Sequence, residues 1–298
     1  MTEMGEVGVL GCGAMGAGIA QVLVVAGYAA VVREPEEELL KKGMARIKKG
    51  LERAVEKGQL GAAGRDQALR RLRGVISLEE MKDCQLIVEA LPEEIHLKKE
   101  HLRRLDSLCS ASTILASNTS SLIITELAAC TGRPEKVIGL HFFNPPPLMN
   151  LVEIVRTPFT SSQTLKVVQE FVASLPKTSI LAPDRSGFVV NRLLIPYLLD
   201  AIQSLDDGLA SAEDIDKGMR LGCGHPMGPL ALSDFIGLDI LLHISEVMFG
   251  EYRERRFAPP PLLRRMVLAG WLGKKSGRGF YDYSGPEPRA VSLGGREE

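Results

Sequence analysis

Cysteine is sparse in this 298-residue chain and falls into no metal-binding spacing. Cys12, Cys84, Cys109, Cys130 and Cys223 are odd in number, scattered, and form no CxxC. That pattern excludes a disulfide framework and a cysteine zinc site, so reduced thiols and no bound metal are expected. Net charge is nearly absent too. A formal charge of −1 gives no reason to expect nucleic acid or an anionic membrane as a partner. No apolar run approaches the ~18 residues of a membrane-spanning helix. The N-terminal MTEMGEVGVLGCG lacks a basic leader followed by a separate apolar stretch, and a soluble, cytoplasmic protein is expected. Asn occurs only at positions 118, 144, 150 and 191, so each one invites a specific role.

The length exceeds the usual ~100–200 residues per domain, which predicts two domains. In the first part, short β-branched runs alternate with helical patterns, the signature of a parallel sheet covered by helices. Strands are expected at 7–10, 29–32, 85–90, 113–117, 137–140, 151–155 and 178–182. Within 36–57, Leu40, Met44, Ile47, Leu51 and Val55 recur at three- and four-residue steps, giving an amphipathic helix with one buried stripe. A further helix should start near Ser161. From Val189 to Leu209 apolar residues surround the helix axis, which predicts a helix buried on all sides and kinked at Pro196. The tail from Ser284 reads as disordered. The boundary belongs near Pro183 to Ser186, giving an α/β domain over 1–184 and a helical one over 185–298.

Gly11-Cys12-Gly13-Ala14-Met15-Gly16 directly follows a strand and opens a helix. GxGxxG alone is a loose pattern, but this context gives each glycine a task. Gly11 makes the tight turn, Gly13 lets backbone approach a pyrophosphate, and Gly16 permits close helix-to-strand packing. Glu34 ends the second strand about 20 residues on, where an acid binds the adenosine ribose hydroxyls. An acid there repels a 2′-phosphate, which favours NAD over NADP; the neighbouring Arg33 leaves that preference open. The expected fold is therefore a Rossmann-type doubly wound, mostly parallel sheet followed by an all-α C-terminal domain.

Two further stretches carry candidate chemistry. Ser117, Asn118, Thr119, Ser120 and Ser121 lie between a strand and an apolar helix over 122–128. They either cap that helix or line a ligand site at a strand's carboxyl end. In GLHFFNPPPLMNLVEIV, His141 ends one strand and Glu153 sits among apolar neighbours in the next. A carboxylate so placed needs a partner, and a His is the natural one. Three prolines stiffen the connection and could hold the two strands antiparallel with both side chains converging. A carboxylate on one ring nitrogen makes the other a general base. From the residues alone, core packing and catalysis both remain open for this pair.

Taken together, these stretches resemble the L-3-hydroxyacyl-CoA dehydrogenase family, with its stand-alone bacterial 3-hydroxybutyryl-CoA dehydrogenases in particular. GFVVNRLLIPYLLDAI, GHPMGPLALSDFIGLD and LGKKSGRGFYDY extend the likeness to about Tyr283. The resemblance implies reversible, NAD-dependent oxidation of an (S)-3-hydroxyacyl-CoA. His141 would be the base, Glu153 its orienting carboxylate, and Ser120 and Asn191 the groups holding the substrate. On the cofactor side it implies the glycine turn with Ala14 and Met15, Glu34, Glu93, Lys98, Asn118 and Asn144. Lys57 is a candidate for the CoA phosphates, and a homodimer through the C-terminal helices is expected. Glu34 stands where the family usually has Asp, and Ser186 where many members have Pro, which predicts a looser interdomain turn. A dehydrogenase of a non-CoA hydroxy acid or sugar acid, and a non-catalytic dinucleotide-binding protein, are the alternatives.

Overall fold

The computed structural model describes residues 5–291. Eight strands form one sheet: β1 (Glu6–Leu10), β2 (Ala29–Arg33), β3 (Leu72–Val75), β4 (Leu86–Glu89), β5 (Ile114–Ser117), β6 (Val137–Phe142), β7 (Leu151–Arg156) and β8 (Thr178–Pro183). Their order is β3-β2-β1-β4-β5-β6-β7-β8. Pairing is parallel from β3 through to β6, antiparallel between β6 and β7, and parallel again between β7 and β8. Strand order reverses between β1 and β4. In such sheets ligands bind at that crevice, outside the carboxyl ends of the strands.

Between the strands run α1 (Ala14–Val25), α2 (Glu37–Glu56), α3 (Ala62–Arg70), α4 (Ile95–Leu108), α5 (Ile124–Ala128) and α6 (Ser162–Ser174). One apolar core joins the strands to α1, α2, α3 and α6 through residues such as Val9, Ile19, Ile47, Ala68, Ile154 and Phe171. The stripe expected on α2 is buried at Ile47 and Leu51. Ser161 caps α6 by accepting from the Thr164 amide at 3.1 Å. Strand β3 was not foreseen. It is four residues long, contains Arg73 and Gly74, and lies at the sheet edge, so it carries almost no apolar alternation.

The chain divides into two compact units, Met1–Phe188 and Val189–Glu298, with the division after Phe188. The second unit contains α7 (Val190–Asp206), α8 (Ala212–Cys223), α9 (Pro229–Ile236), α10 (Leu238–Tyr252) and α11 (Pro261–Leu268), then a two-stranded ribbon of β9 (Tyr281–Asp282) and β10 (Arg289–Ala290). Leu198, Ile202, Leu230, Leu241, Met248 and Phe280 share its core. Two carboxylates fasten the ribbon to the helices. Asp234 accepts from the Phe280 and Tyr281 amides, and Asp216 accepts from the Tyr281 hydroxyl.

Two expectations are corrected here. Helix α7 is not buried on all sides: Ile195, Leu198, Leu199 and Ile202 face the core, whereas Leu193 on the opposite face is exposed. The tail is ordered at least to Val291, whose amide donates to the Phe280 carbonyl at 2.9 Å. The rest of that expectation, over 292–298, lies outside the described residues. Among the described residues no helix is long and apolar enough to cross a membrane.

Candidate active site

At the end of β1 the chain makes the glycine turn. Gly11 has φ +96°, and a Cβ there would meet the Ala90 carbonyl oxygen at 2.8 Å. A Cβ on Gly16 would lie 2.9 Å from the carbonyl carbon of Gly11, so α1 crosses the turn at a distance only glycine allows. Around Gly13 an added Cβ would meet nothing within 4 Å. Gly13 is also the cap residue of α1, with no capping side chain and no acid in the first turn. The first turn of α1, with Ala14 and Met15, thus begins at a positive helix end that no capping side chain or acid occupies, a setting that suits a pyrophosphate.

Glu34 stands at the mouth of this turn and accepts from the Cys12 amide. Arg33 points elsewhere. It is buried, and its Nε donates to the Ile76 carbonyl at 2.9 Å. The acid, not the adjacent arginine, thus meets the turn. Burial, then the Glu34 carboxylate, push the Cys12 thiol up to about 12, so it stays protonated. Helix α2 comes this close because Gly43 faces Cys12: a Cβ on Gly43 would meet Cys12 Cβ at 2.6 Å.

The SNTSS loop is held from below by a buried ionic network. Glu89, the last residue of β4, is 0% exposed, and Lys98 on α4 is 1% exposed. Glu89 Oε1 accepts from Lys98 Nζ at 2.7 Å and from the Leu91 amide at 2.6 Å, while Oε2 accepts from Ser117 Oγ at 2.6 Å. Lys98 Nζ also meets the Leu91 carbonyl at 3.1 Å and Glu93 Oε2 at 3.2 Å. The other Glu93 oxygen accepts from Thr119 Oγ1, from Ser121 Oγ and from the Ser120 amide. Burial pushes the Glu93 carboxyl up, but Lys98, Thr119 and the Ser120 amide outweigh it and hold the group below the ordinary carboxylate value. Sequence reasoning missed Glu89. A carboxylate inside the apolar run LIVEA was the same signal that singled out Glu153.

Helix capping does not account for this loop. The Ile124 and Thr125 amides at the start of α5 donate to Asp184, at 2.8 and 2.5 Å. Ser186, where a looser turn was expected, is tied to the neighbouring loop. Its side chain is buried, and Oγ donates to the Ser121 carbonyl at 3.0 Å.

His141 and Glu153 are direct register partners across the antiparallel β6–β7 pair. Nδ1 of His141 lies 2.7 Å from Glu153 Oε2, and the carboxylate is 0% exposed. Strand pairing, rather than proline stiffness alone, sets this geometry. The Phe143 and Phe188 rings wall the imidazole, with centroids at 4.5 and 5.6 Å. Asn118 Oδ1 accepts from the Phe142 amide at 2.8 Å and so ties the SNTSS loop to the strand beside His141. The proline loop is anchored by Lys177, whose Nζ donates to the Pro146 and Met149 carbonyls at 2.7 and 2.8 Å. Asn144 and Pro145 to Pro147 line a cavity of about 360 Å³ together with Ala14, Arg46, Lys49, Arg53 and Lys57. Asn191, on the first turn of α7, belongs to the second unit and is buried there. Among the described residues no group of three or more His, Cys, Asp or Glu could hold a metal ion.

The glycine turn, the acid at its mouth and a buried His–Glu pair are accompanied by an extensive likeness to known proteins. Residues 6–185 match the 3-hydroxyacyl-CoA dehydrogenase NAD binding domain, and residues 187–283 match the C-terminal domain of the same family. The 3-hydroxybutyryl-CoA dehydrogenase of Mycobacterium tuberculosis is 50% identical, covering 93% of this chain and 98% of that one. A probable 3-hydroxybutyryl-CoA dehydrogenase of Bacillus subtilis is 46% identical over 94% and 98%. The crystal structure of (S)-3-hydroxybutyryl-CoA dehydrogenase from Ralstonia eutropha superposes with a TM-score of 0.91 at 43% identity, covering 95% of this chain and all of the other.

Proposed function

Because the chain belongs to the 3-hydroxyacyl-CoA dehydrogenase family, we propose that it oxidises an (S)-3-hydroxyacyl-CoA, 3-hydroxybutyryl-CoA foremost, to the 3-oxoacyl-CoA, reversibly and with NAD. The observation that carries this reading is the 2.7 Å contact between His141 Nδ1 and Glu153. With Nδ1 donating to the carboxylate, Nε2 is the basic nitrogen and takes the 3-hydroxyl proton. Glu153 stabilises the imidazolium that results, and Phe143 and Phe188 keep water from the ring. Ser120 and Asn191 hold the substrate oxygens.

A bound nicotinamide would supply the acceptor for the hydride that leaves C3 as the hydroxyl proton passes to His141. Gly13, Ala14 and Met15 present amides to the pyrophosphate, and Glu34 takes the ribose hydroxyls. Glu93, with Lys98 behind it, and the carboxamides of Asn118 and Asn144 complete the cofactor side. Lys57 and the Arg46, Lys49 and Arg53 side chains around the same cavity suit the CoA phosphates.

Leu193, Leu209, Leu221 and Leu268 are 72% to 88% exposed, and all four lie in the second unit. We read them as part of a homodimer interface, which sedimentation would test. Five free thiols fit a reducing cytoplasm.

The test is NADH oxidation with acetoacetyl-CoA against free acetoacetate. A kcat/KM favouring the thioester by orders of magnitude is expected, and equal values would move the substrate to a free hydroxy acid. His141→Ala should lower kcat about 100- to 10,000-fold while NADH affinity stays within twofold. Retained turnover would remove His141 from the mechanism.

A further inference from the structure

Glu89 has no place in the chemistry above, yet it is a fully enclosed acid at the ligand-facing end of the sheet. We propose that Glu89 is a positioning residue, which fixes Lys98, and through Lys98 and Glu93 the backbone of Ser120, before substrate arrives. The inference rests on the reading that Ser120 meets the substrate.

The path is continuous. Glu89 grips both the strand end at Ser117 and the ammonium of Lys98. All three protons of that ammonium then have acceptors inside the protein: Glu89, the Leu91 carbonyl and Glu93. Lys98 therefore acts as a bridge between two carboxylates. The outer carboxylate, Glu93, takes its three remaining hydrogen bonds from Thr119, Ser120 and Ser121, so its location decides where the Ser120 amide lies. Ser117 Oγ adds a second link by accepting from the Thr119 amide at 3.3 Å.

Two acids share one lysine, and they differ in setting. Glu89 is sealed within the sheet, whereas Glu93 is half-buried at the site. The inner acid serves as a fixed anchor and the outer one reads out its position. The network is a triad, so loss of the Glu89 charge leaves Lys98 with Glu93 as its one carboxylate and lets that pair shift toward the exposed side, whereas loss of Lys98 as well leaves Glu93 with no cation. A kinetic and loop-exchange defect that persists well below the melting transition distinguishes positioning from simple support of the fold.

Glu89→Gln and the double variant Glu89→Gln/Lys98→Met would be compared with the unmodified chain by thermal melting, steady-state kinetics per NADH-binding site, and amide hydrogen exchange. Glu89→Gln should lower the melting temperature and kcat/KM for acetoacetyl-CoA, the latter by about tenfold or more, the scale of one lost hydrogen bond to a charge. The double variant should lose at least as much kcat/KM, because Glu93 then has no cation to hold it. Unaltered kcat/KM in Glu89→Gln, measured well below its melting transition, or recovery of kcat/KM in the double variant, would overturn the proposal.

Should the double variant fail to fold, hydrogen exchange in Glu89→Gln alone decides. Exchange across residues 117–122 should accelerate about tenfold or more while that of α2 stays unchanged; equal protection in that loop refutes the tether. Ser120→Ala separates the two readings. If it leaves kcat and KM unaltered while Glu89→Gln still loosens the loop, the role given to Ser120 fails and the tether stands.

Discussion

Replacing Gly13 and Gly16 by Ala, one at a time, should separate cofactor binding from folding within a single turn. An Ala at position 16 places its Cβ 2.9 Å from the Gly11 carbonyl carbon, against an ordinary carbon contact of about 3.5–4.0 Å. The obstacle is backbone, so α1 must retreat from the turn, at an overpacking cost of about 1–3 kcal/mol. For a unit of this size that lowers the melting temperature by roughly 2–12 °C. At position 13 the backbone has φ −64° and ψ −160°, which Ala adopts freely, and the added methyl meets no protein atom within 4 Å. Stability without cofactor should then change by about 1 kcal/mol at most. The methyl would stand where the pyrophosphate approaches, so NADH should bind about 10- to 100-fold more weakly, equivalent to losing a charge-assisted hydrogen bond. Differential scanning calorimetry and NADH fluorescence titration read the two effects separately. Undiminished NADH affinity in Gly13→Ala, or an unshifted melting temperature in Gly16→Ala, would refute the division of labour.

Glu34→Arg should raise the NADPH-to-NADH ratio of kcat/KM at least about tenfold, because it replaces a repulsive acid with a phosphate partner; a constant ratio would show that the ribose is held elsewhere. Glu153→Gln keeps the shape of the His141 partner but removes its charge, and kcat should fall about 10- to 100-fold with NADH affinity preserved, as steady-state kinetics and titration would show. In the second unit, burial pushes the Asp234 carboxyl up to about 6 from 3.8, against the pull of the Phe280 and Tyr281 amides and the Tyr283 hydroxyl. An acid raised in this way binds its proton more tightly when folded. Its stabilising contribution is complete below about 3.8 and is lost as pH rises through about 6, amounting to about 3 kcal/mol. Melting temperatures from pH 4 to pH 7 should therefore depend less steeply on pH in Asp234→Asn than in the unmodified chain, and parallel curves would contradict this.

What could be read from the residues was whatever depends on local pattern. The seven expected strands appear because each carries an apolar run, and the glycine turn because its three glycines meet three distinct steric demands. Strand β3 was illegible because an edge strand with Arg73 and Gly74 gives no period of two. On α7 the apolar residues encircle the axis, yet only one face is covered within the described unit, since sequence does not say what a side chain meets. The cap of α5 was hidden for another reason: Asp184 reaches it from 60 residues away. Glu89 could have been found by the reasoning applied to Glu153. Its partner, however, sits on a helix nine residues later, and nothing in the strand itself points there.

The single reversal of direction in the sheet, between β6 and β7, has an evolutionary side. His141 and Glu153 face each other because the ladder pairs them, and a slip of one residue would turn Glu153 to the other surface of the sheet. The loop between them is free of that duty. Beyond Asn144 its length and composition can vary, at a closure cost that grows only with the logarithm of length, while His141 and Glu153 stay in register. Variation in 145–150 would reshape the cavity that Pro145 to Pro147 border, with Phe143 kept beside the imidazole. A chain built this way can change what it accepts without rebuilding how it reacts.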